Sequence, residues 1–281
     1  MDMQWQSWIG RTEHSADQVG ATPVAALAAT LDRDDPAPKD GDPLPPLWHW
    51  LYFLPRYRES DVGPDGHAKR GGFLPPIALP RRMWAGGRLT FGKPIHIGES
   101  LTRESRIVDV QHKEGRSGPL AFVVVRHTIE GDNGVAIVEE HDIVYRGDAP
   151  AGTPLASATP AQVGAAWSRE IHPDPVLLFR YSALTFNSHR IHYDRRYATE
   201  VERYPGLVVH GPLIATLLVD LLHHGLPHAN VTTFSFRAMS ALFDDAPFLV
   251  RGQPAQDRRS VRLWAESMHG ALAMDATATL A

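Results

Sequence analysis

The chain has 281 residues, no cysteine and a formal net charge of −4, with 43% hydrophobic and 21% charged residues. That composition suffices for an ordinary buried core. The mild acidity speaks against a nucleic-acid or membrane-surface role, and the missing cysteines exclude disulfides, thiolate metal sites and a cysteine nucleophile.

The first residues, Met1 to Trp5, have no basic segment followed by an apolar run, so no signal or transit peptide is expected and a cytoplasmic location is the plain reading. Residues 23–31 (PVAALAATL) predict a helix, with Thr22 as N-cap and Pro23 in its first turn. Pro- and Gly-rich belts follow at 34–46 and 63–80. Strands are predicted at 88–91, 101–110, 120–129 and 135–145. The turns at 115–118 and 131–134 join the last three as hairpins. The small, polar stretch 147–160 reads as a linker between a module in 1–150 and a second in 160–281. In the second module a strand is predicted at 177–182, a strongly apolar helix at 213–223, and strands at 231–239, 248–251, 261–267 and 271–280. The apolar run 213–222 contains Asp220 and is about half the length needed to span a bilayer. A faint match between 91–99 and 236–244 points to two copies of an α+β module.

The chemistry concentrates in two short stretches. The first holds Asn187, His189, Arg190, His192, Tyr193 and Asp194, a mixture able to donate, accept and shuttle protons. Histidine suits general acid–base work because its ordinary pKa lies near neutrality. The second is His210-Gly211 at the start of the apolar helix. The first amides of a helix have no partner inside it and carry the positive end of its dipole. A glycine there lets a ligand approach, so the Gly211 N–H is a candidate holder of a thioester oxygen as negative charge builds on it.

Asn187-Ser188-His189-Arg190-Ile191-His192-Tyr193-Asp194, followed by His210-Gly211, resembles the MaoC-like dehydratases, also called type 2 or R-specific enoyl-CoA hydratases. The run Ala183 to Asp194, with Gly71 to Pro76 and Arg81 to Gly87, is similar to the branch of hydroxyacyl-thioester dehydratase type 2 and the mesaconyl-C4-CoA and itaconyl-CoA hydratases. The resemblance implies an α+β double hot-dog: two modules, each a central helix wrapped by an antiparallel sheet, with an acyl-CoA tunnel between them and catalysis on the second. It implies that His192 activates the water attacking C3, and that the Gly211 N–H polarises the thioester. His189, His210 and Tyr193 are expected near the substrate. No cofactor is expected, since CoA arrives as part of the substrate. The family also leads us to expect a homodimer.

One departure matters. Asn187 stands where the family has its catalytic aspartate, and an amide cannot exchange a proton as a carboxylate does. Either Asn187 orients the water while His192 alone handles protons, or Asp194 or a carboxylate distant in sequence supplies the missing function. Arg190 replaces the family's proline. Its guanidinium, or that of Arg82, is a candidate clamp for an acyl chain ending in a carboxylate. Plainer readings stand beside these. Asp194 suits a helix cap, Asn187 and Gly211 suit turns, Arg190 suits a surface ion pair, Arg81 and Arg82 suit CoA phosphates or solvent, and Trp48, Trp50 and Trp84 suit the core. His223 and His224 are adjacent and so face apart on a helix, and nothing near His189 and His192 in sequence completes a tetrahedral set, so no metal site is expected. A hydro-lyase acting on an enoyl-CoA is the leading function. A general 3-hydroxyacyl-thioester dehydratase, a hot-dog thioesterase and a non-catalytic acyl-CoA binding module are the alternatives.

Overall fold

Alternation of buried and exposed side chains builds the sheet. In the strand Gly118–Gly131, Ala121, Val123, Val125, His127 and Ile129 are buried and their neighbours are not. This period of two turns one face of a strand to the core. The computed structural model describes residues 5–115, 118–147 and 158–281. Ten strands form one antiparallel sheet. β1 (Thr12–Gln18), β2 (Arg81–Phe91), β3 (Ser100–Gly115), β4 (Gly118–Gly131) and β5 (Gly134–Arg146) belong to the first half. β6 (Trp167–Ile171), β7 (Val231–Ala238), β8 (Phe248–Pro254), β9 (Ser260–Ser267) and β10 (Leu272–Leu280) belong to the second. Their order, β1-β3-β4-β5-β2-β7-β10-β9-β8-β6, reads as the same five-strand pattern from either edge. The halves meet where β2 pairs with β7, from Gly86 opposite Arg237 to Thr90 opposite Thr233. Glycine is required at that seam: a Cβ on Gly86 would lie 2.7 Å from the Phe236 carbonyl oxygen.

The helices are α1 (Ala21–Thr30), α2 (Pro175–Leu184) and α3 (Gly211–Gly225). α3 carries ten consecutive buried residues, Leu213 to Leu222, and packs against β6, β8, β9 and β10. It ends at Gly225, where a Cβ would collide with the Trp167 ring. The first half has no helix of this length among the described residues; between α1 and β2 it forms only the 3-10 turns Trp48–Leu51 and Glu59–Asp61. No helix among the described residues is long and apolar enough to cross a membrane.

Several expectations change in detail. The segment 177–182, read as a strand, is the body of α2. Asp174 caps that helix by accepting from the Val176 and Leu177 amides, Pro175 occupies its first turn, and Leu178, Tyr181 and Ser182 are buried at helical spacing. The cap of α1 is Gly20, not Thr22. β1 and β6 are additional strands. The segments 91–99 and 236–244 both open on the strands of the seam, and both run on to bridge an earlier segment, through Pro43 with His96 and Val208 with Phe243. The linker at 147–160 falls almost wholly outside the described residues.

The acidic residue inside the apolar helix is paired. Asp220, 3% exposed, accepts from Arg33 of the first half at 2.5 Å and from Arg169 on β6 at 2.8 Å. Arg33 also lies over the Trp48 ring. Breaking a buried charge pair strands its partners. Asp220→Asn is therefore expected to lower the unfolding free energy by about 3 kcal/mol in urea titration; a loss under about 1 kcal/mol, the range of surface pairs, would contradict this account.

Candidate active site

The reactive segment starts where α2 stops. The Phe186 amide donates to Ala183 O and the Asn187 amide to Ser182 O, while Phe186 adopts a left-handed φ of 49°. This is the usual closure of a helix C-terminus, with phenylalanine in the place that favours glycine. The turn directs Asn187 toward the junction of the two halves. The Asn187 Oδ1 accepts from the His189 amide, and a 3-10 turn, Arg190–His192, follows.

His192 is 8% exposed. Its Nδ1 lies 2.7 Å from Val208 O, so Nδ1 carries the proton and Nε2 keeps a lone pair. Among the described residues Nε2 has no hydrogen-bond partner. The ring stacks on His210 at 3.7 Å and 17°. His210 is the N-cap of α3, so the stack brings the imidazole base to the residue preceding Gly211. The Gly211 amide finds no backbone acceptor among the described residues, as the first amide of a helix should. The nearest atom to a Cβ built there is Trp84 O at 3.9 Å, so the approach is open. Burial pushes the His192 pKa down to about 4, against the opposing pull of the Val208 carbonyl. His189, through burial and then its neighbours His67 and His192, is pushed to about 2. The ring at His192 is thus neutral at pH 7 and ready to accept a proton.

The first half supplies the opposite wall. A cavity of about 580 Å³ is lined by His67, Arg82, Trp84, Glu139 and His141 from the first half and by Tyr181, Asn187, Ser188 and Pro212 from the second. Asn187 and Pro212 place this cavity beside both the His192 turn and the start of α3. A cleft of about 460 Å³ shares Arg82, Tyr57 and His127 with it and is lined by Gly71 to Pro75. Glu139 is 2% exposed. Burial would raise its pKa, but His141 and His49 outweigh that and hold it well below the carboxylate range. It accepts from the Trp50 indole at 3.0 Å and lies 3.2 Å from His49 Nε2. Trp84 lies tilted over His141 at 3.9 Å, and Trp50 and Trp84 pack against the core while also walling the cavity. Trp48 is core, 3% exposed.

The remaining residues sort differently from expectation. Arg190 does not face the cavity as a free clamp: its Nε and Nη2 donate to Asp194 Oδ2, its Nη1 donates to Pro64 O, and the guanidinium lies over Tyr197. Asp194 caps the helical turn after it by accepting from the Tyr197 amide. Both its carboxylate oxygens are thereby engaged, as a cap and a counter-ion. Tyr193 is 45% exposed and its hydroxyl donates to Ser188 O, so it does not line the cavity. His210 is buried behind His192, its Nε2 2.8 Å from Ser182 Oγ, and supports the ring rather than a ligand. Arg81 turns to Glu202 and Tyr204. Arg82 does line the cavity, and among the described residues no carboxylate pairs with it.

Sequence reasoning missed Asp65, His67, Glu139 and His141. The first two come close to His189 in space, so candidate ligands near His189 exist after all. The His67 Nδ1 is already 3.1 Å from Asp65 Oδ2, and the His67 and His189 rings lie tilted by 41° with their centroids 4.0 Å apart; these are three candidate groups where a tetrahedral set needs four.

Neutral buried histidines have a measurable consequence. His192, His189, His210 and His127 all hold pKa values below the 6.5 of an ordinary histidine. The unfolded chain therefore binds more protons than the folded one below that pH. Stability present at pH 7 is lost as the pH falls from 6.5 toward about 4. Urea midpoints should drop steadily over that window, and a flat profile would contradict the neutral cluster.

Comparison with known proteins bears on the family and the fold. The chain is 50% identical over 279 residues to mesaconyl-C(4)-CoA hydratase of Chloroflexus aurantiacus, covering 98% of each. The solved structure of HtdX from Mycobacterium tuberculosis superposes with a TM-score of 0.67 at 18% identity, covering 95% of this chain and 99% of that one. A second M. tuberculosis protein, described as having a double hotdog fold, superposes with a TM-score of 0.54 at 13% identity, covering 97% and 96%. Residues 47–244 match the family described as hydroxyacyl-thioester dehydratase type 2, and the chain belongs to that family, on a double hot-dog fold.

Proposed function

We propose that this enzyme reversibly adds water across the C2=C3 bond of a short enoyl-CoA bearing a carboxylate, mesaconyl-C4-CoA (3-methylfumaryl-CoA) being the best-supported substrate and citramalyl-CoA its product. The observation that carries this reading is the stack of His192 on His210, the N-cap of α3, which brings a neutral imidazole to the residue before the helix-terminal Gly211 amide. The identity to a mesaconyl-C(4)-CoA hydratase supports the acyl chain. The second half is the catalytic module, and the first half supplies the facing wall and a cation.

The chemistry follows from the groups present. The His192 Nε2 takes a proton from water as the water oxygen bonds to C3. The C2=C3 electron pair shifts toward the thioester, and the Gly211 N–H holds the resulting negative oxygen at the positive end of α3. C2 then takes the proton back from Nε2, which restores the neutral ring. In 3-methylfumaryl-CoA the carboxylate sits on C3, beside the attacking water. Arg82 lines the same cavity as His67 and has no carboxylate partner among the described residues, which supports assigning it to that carboxylate. Arg190 is instead neutralised by Asp194.

Turnover of crotonyl-CoA, itaconyl-CoA and mesaconyl-C4-CoA, followed by both enoyl absorbance and thiol release, tests this reading. Hydration without thiol release, fastest on a carboxylate-bearing substrate and abolished in His192→Ala, is expected. Arg82→Ala should lower kcat/KM for the dicarboxylic thioester by about 30-fold, the scale of a lost charged hydrogen bond, while changing crotonyl-CoA hydration little. Preference for crotonyl-CoA, or equal losses on both substrates, would overturn the carboxylate assignment.

A further inference from the structure

The protons of this site are one acceptor short. With Asn187 in place of a carboxylate, no negative group on the reactive segment is free to steady the water or the imidazolium that forms during its attack. Asp194 is consumed by Arg190 and the Tyr197 amide. The first half brings a different carboxylate to the same place. The loop Val62–His67 is latched to the reactive segment by its backbone. The Arg190 amide donates to Asp65 O at 2.9 Å, Ser188 Oγ donates to Gly66 O, and Arg190 Nη1 donates to Pro64 O. Gly66 has φ +89°, and a Cβ there would lie 1.8 Å from Ser188 O, so no other residue permits this approach.

The latch sets Asp65 and His67 in a fixed relation. Asp65 Oδ1 accepts from the His67 amide at 3.0 Å and Oδ2 lies 3.1 Å from His67 Nδ1. With the proton on Nδ1, directed at Asp65, the Nε2 of His67 is a lone-pair acceptor. His67 lines the cavity together with Asn187 and Ser188. Its ring lies 4.0 Å from that of His189, which in turn meets His192 edge to face at 5.4 Å. Arg82 and Glu202 complete the charged groups facing His67. A neutral His67 with an ionised Asp65 carries one negative charge, the same charge as the aspartate that Asn187 replaces.

We propose that the Asp65–His67 pair of the first half supplies the carboxylate-dependent acceptor of the hydration reaction, with His67 Nε2 holding the second hydrogen of the attacking water and Asp65 positioning His67. This rests on the hydratase reading above. No bond to His67 forms or breaks: one water proton goes to His192 Nε2 and on to C2, and the other stays on the new C3 hydroxyl, hydrogen-bonded to His67. Asp65 acts only through His67, by fixing its tautomer and steadying the positive charge that passes through the histidine cluster.

The test uses the full chain and steady-state hydration of mesaconyl-C4-CoA. Wild-type turnover checks the underlying reading, and the variants relative to wild type check this inference. His67→Gln should lower kcat by about 100-fold while moving KM by less than about threefold, the pattern of an interaction made in the transition state. Asp65→Asn should lower kcat and displace the acid limb of the kcat/KM profile, a change that a purely structural residue would not cause. Introducing Asn187→Asp into the His67→Gln chain should restore kcat by about tenfold or more, because a carboxylate then stands at the water again. If either single variant loses its fold by circular dichroism, the other carries the test. Retention of wild-type kcat by His67→Gln, or a double variant no better than the single one, would overturn the proposal. A wild-type enzyme inactive on every enoyl-CoA would instead remove the hydratase reading on which it rests.

Discussion

The site depends on one hydrogen bond, from His192 Nδ1 to the carbonyl of Val208. It decides which nitrogen carries the proton, and hence which keeps the lone pair for the proposed role of base. The bond is held from several sides. The Val208 amide donates to Ile191 O, the Val209 amide to Leu242 O, and the Leu207 amide to Asp244 Oδ1. Asp244 is fully buried as a side chain and pairs with Arg195. Gly206 has no room for a side chain beside Asp244. The segment presenting Val208 therefore cannot slide, and it runs directly into His210 and the start of α3. The carbonyl that fixes the proposed base and the amide proposed to hold the oxyanion thus lie three residues apart, at Val208 and Gly211, on one sewn-down stretch of backbone.

Burial makes that arrangement chemically useful. Taking an imidazole out of water disfavours its charged form, and the nearby His67 adds a smaller push in the same direction. The ring that results is neutral at physiological pH, but it is also a weak base. Across the junction of the halves lie two ionised carboxylates, Asp65 and Glu139, whose negative charge favours a protonated imidazole. In a water-poor cleft those charges act far more strongly than they would on the surface. Between α1 and β2 the described residues of the first half form only short 3-10 turns, and its polar side chains on β2, β4 and β5, among them Arg82, His127, Glu139 and His141, line the cavity opposite Asn187 and Pro212 of the second half.

Much of this was readable from local pattern. The hairpins β3-β4-β5 follow from strict alternation and two glycine-bounded turns, and α3 from an apolar run opened by His210-Gly211-Pro212. The prominence of His192 and Gly211 came from the residues around them. What local pattern hid was of two kinds. In α2 the apolar residues 177–178 resemble a strand, and the Asp174-Pro175 cap that settles the matter lies just outside that run. The other omissions are long-range. Nothing near Asp65, His67, Glu139 or His141 in sequence reveals that they meet Asn187 and Ser188 across the junction. Arg190 looks like an open cation until the turn of the chain brings Asp194, four residues on, against its guanidinium.

The account stands most directly on the protonation state of one ring. Nitrogen-15 NMR of histidine-labelled enzyme, with His192 assigned by its loss in His192→Gln, reports it. Between pH 6 and 8 the account predicts a single neutral tautomer with the proton on Nδ1 and a bare Nε2, gaining a second proton only as the pH nears about 4. A proton on Nε2, or titration at the ordinary 6.5, would contradict it.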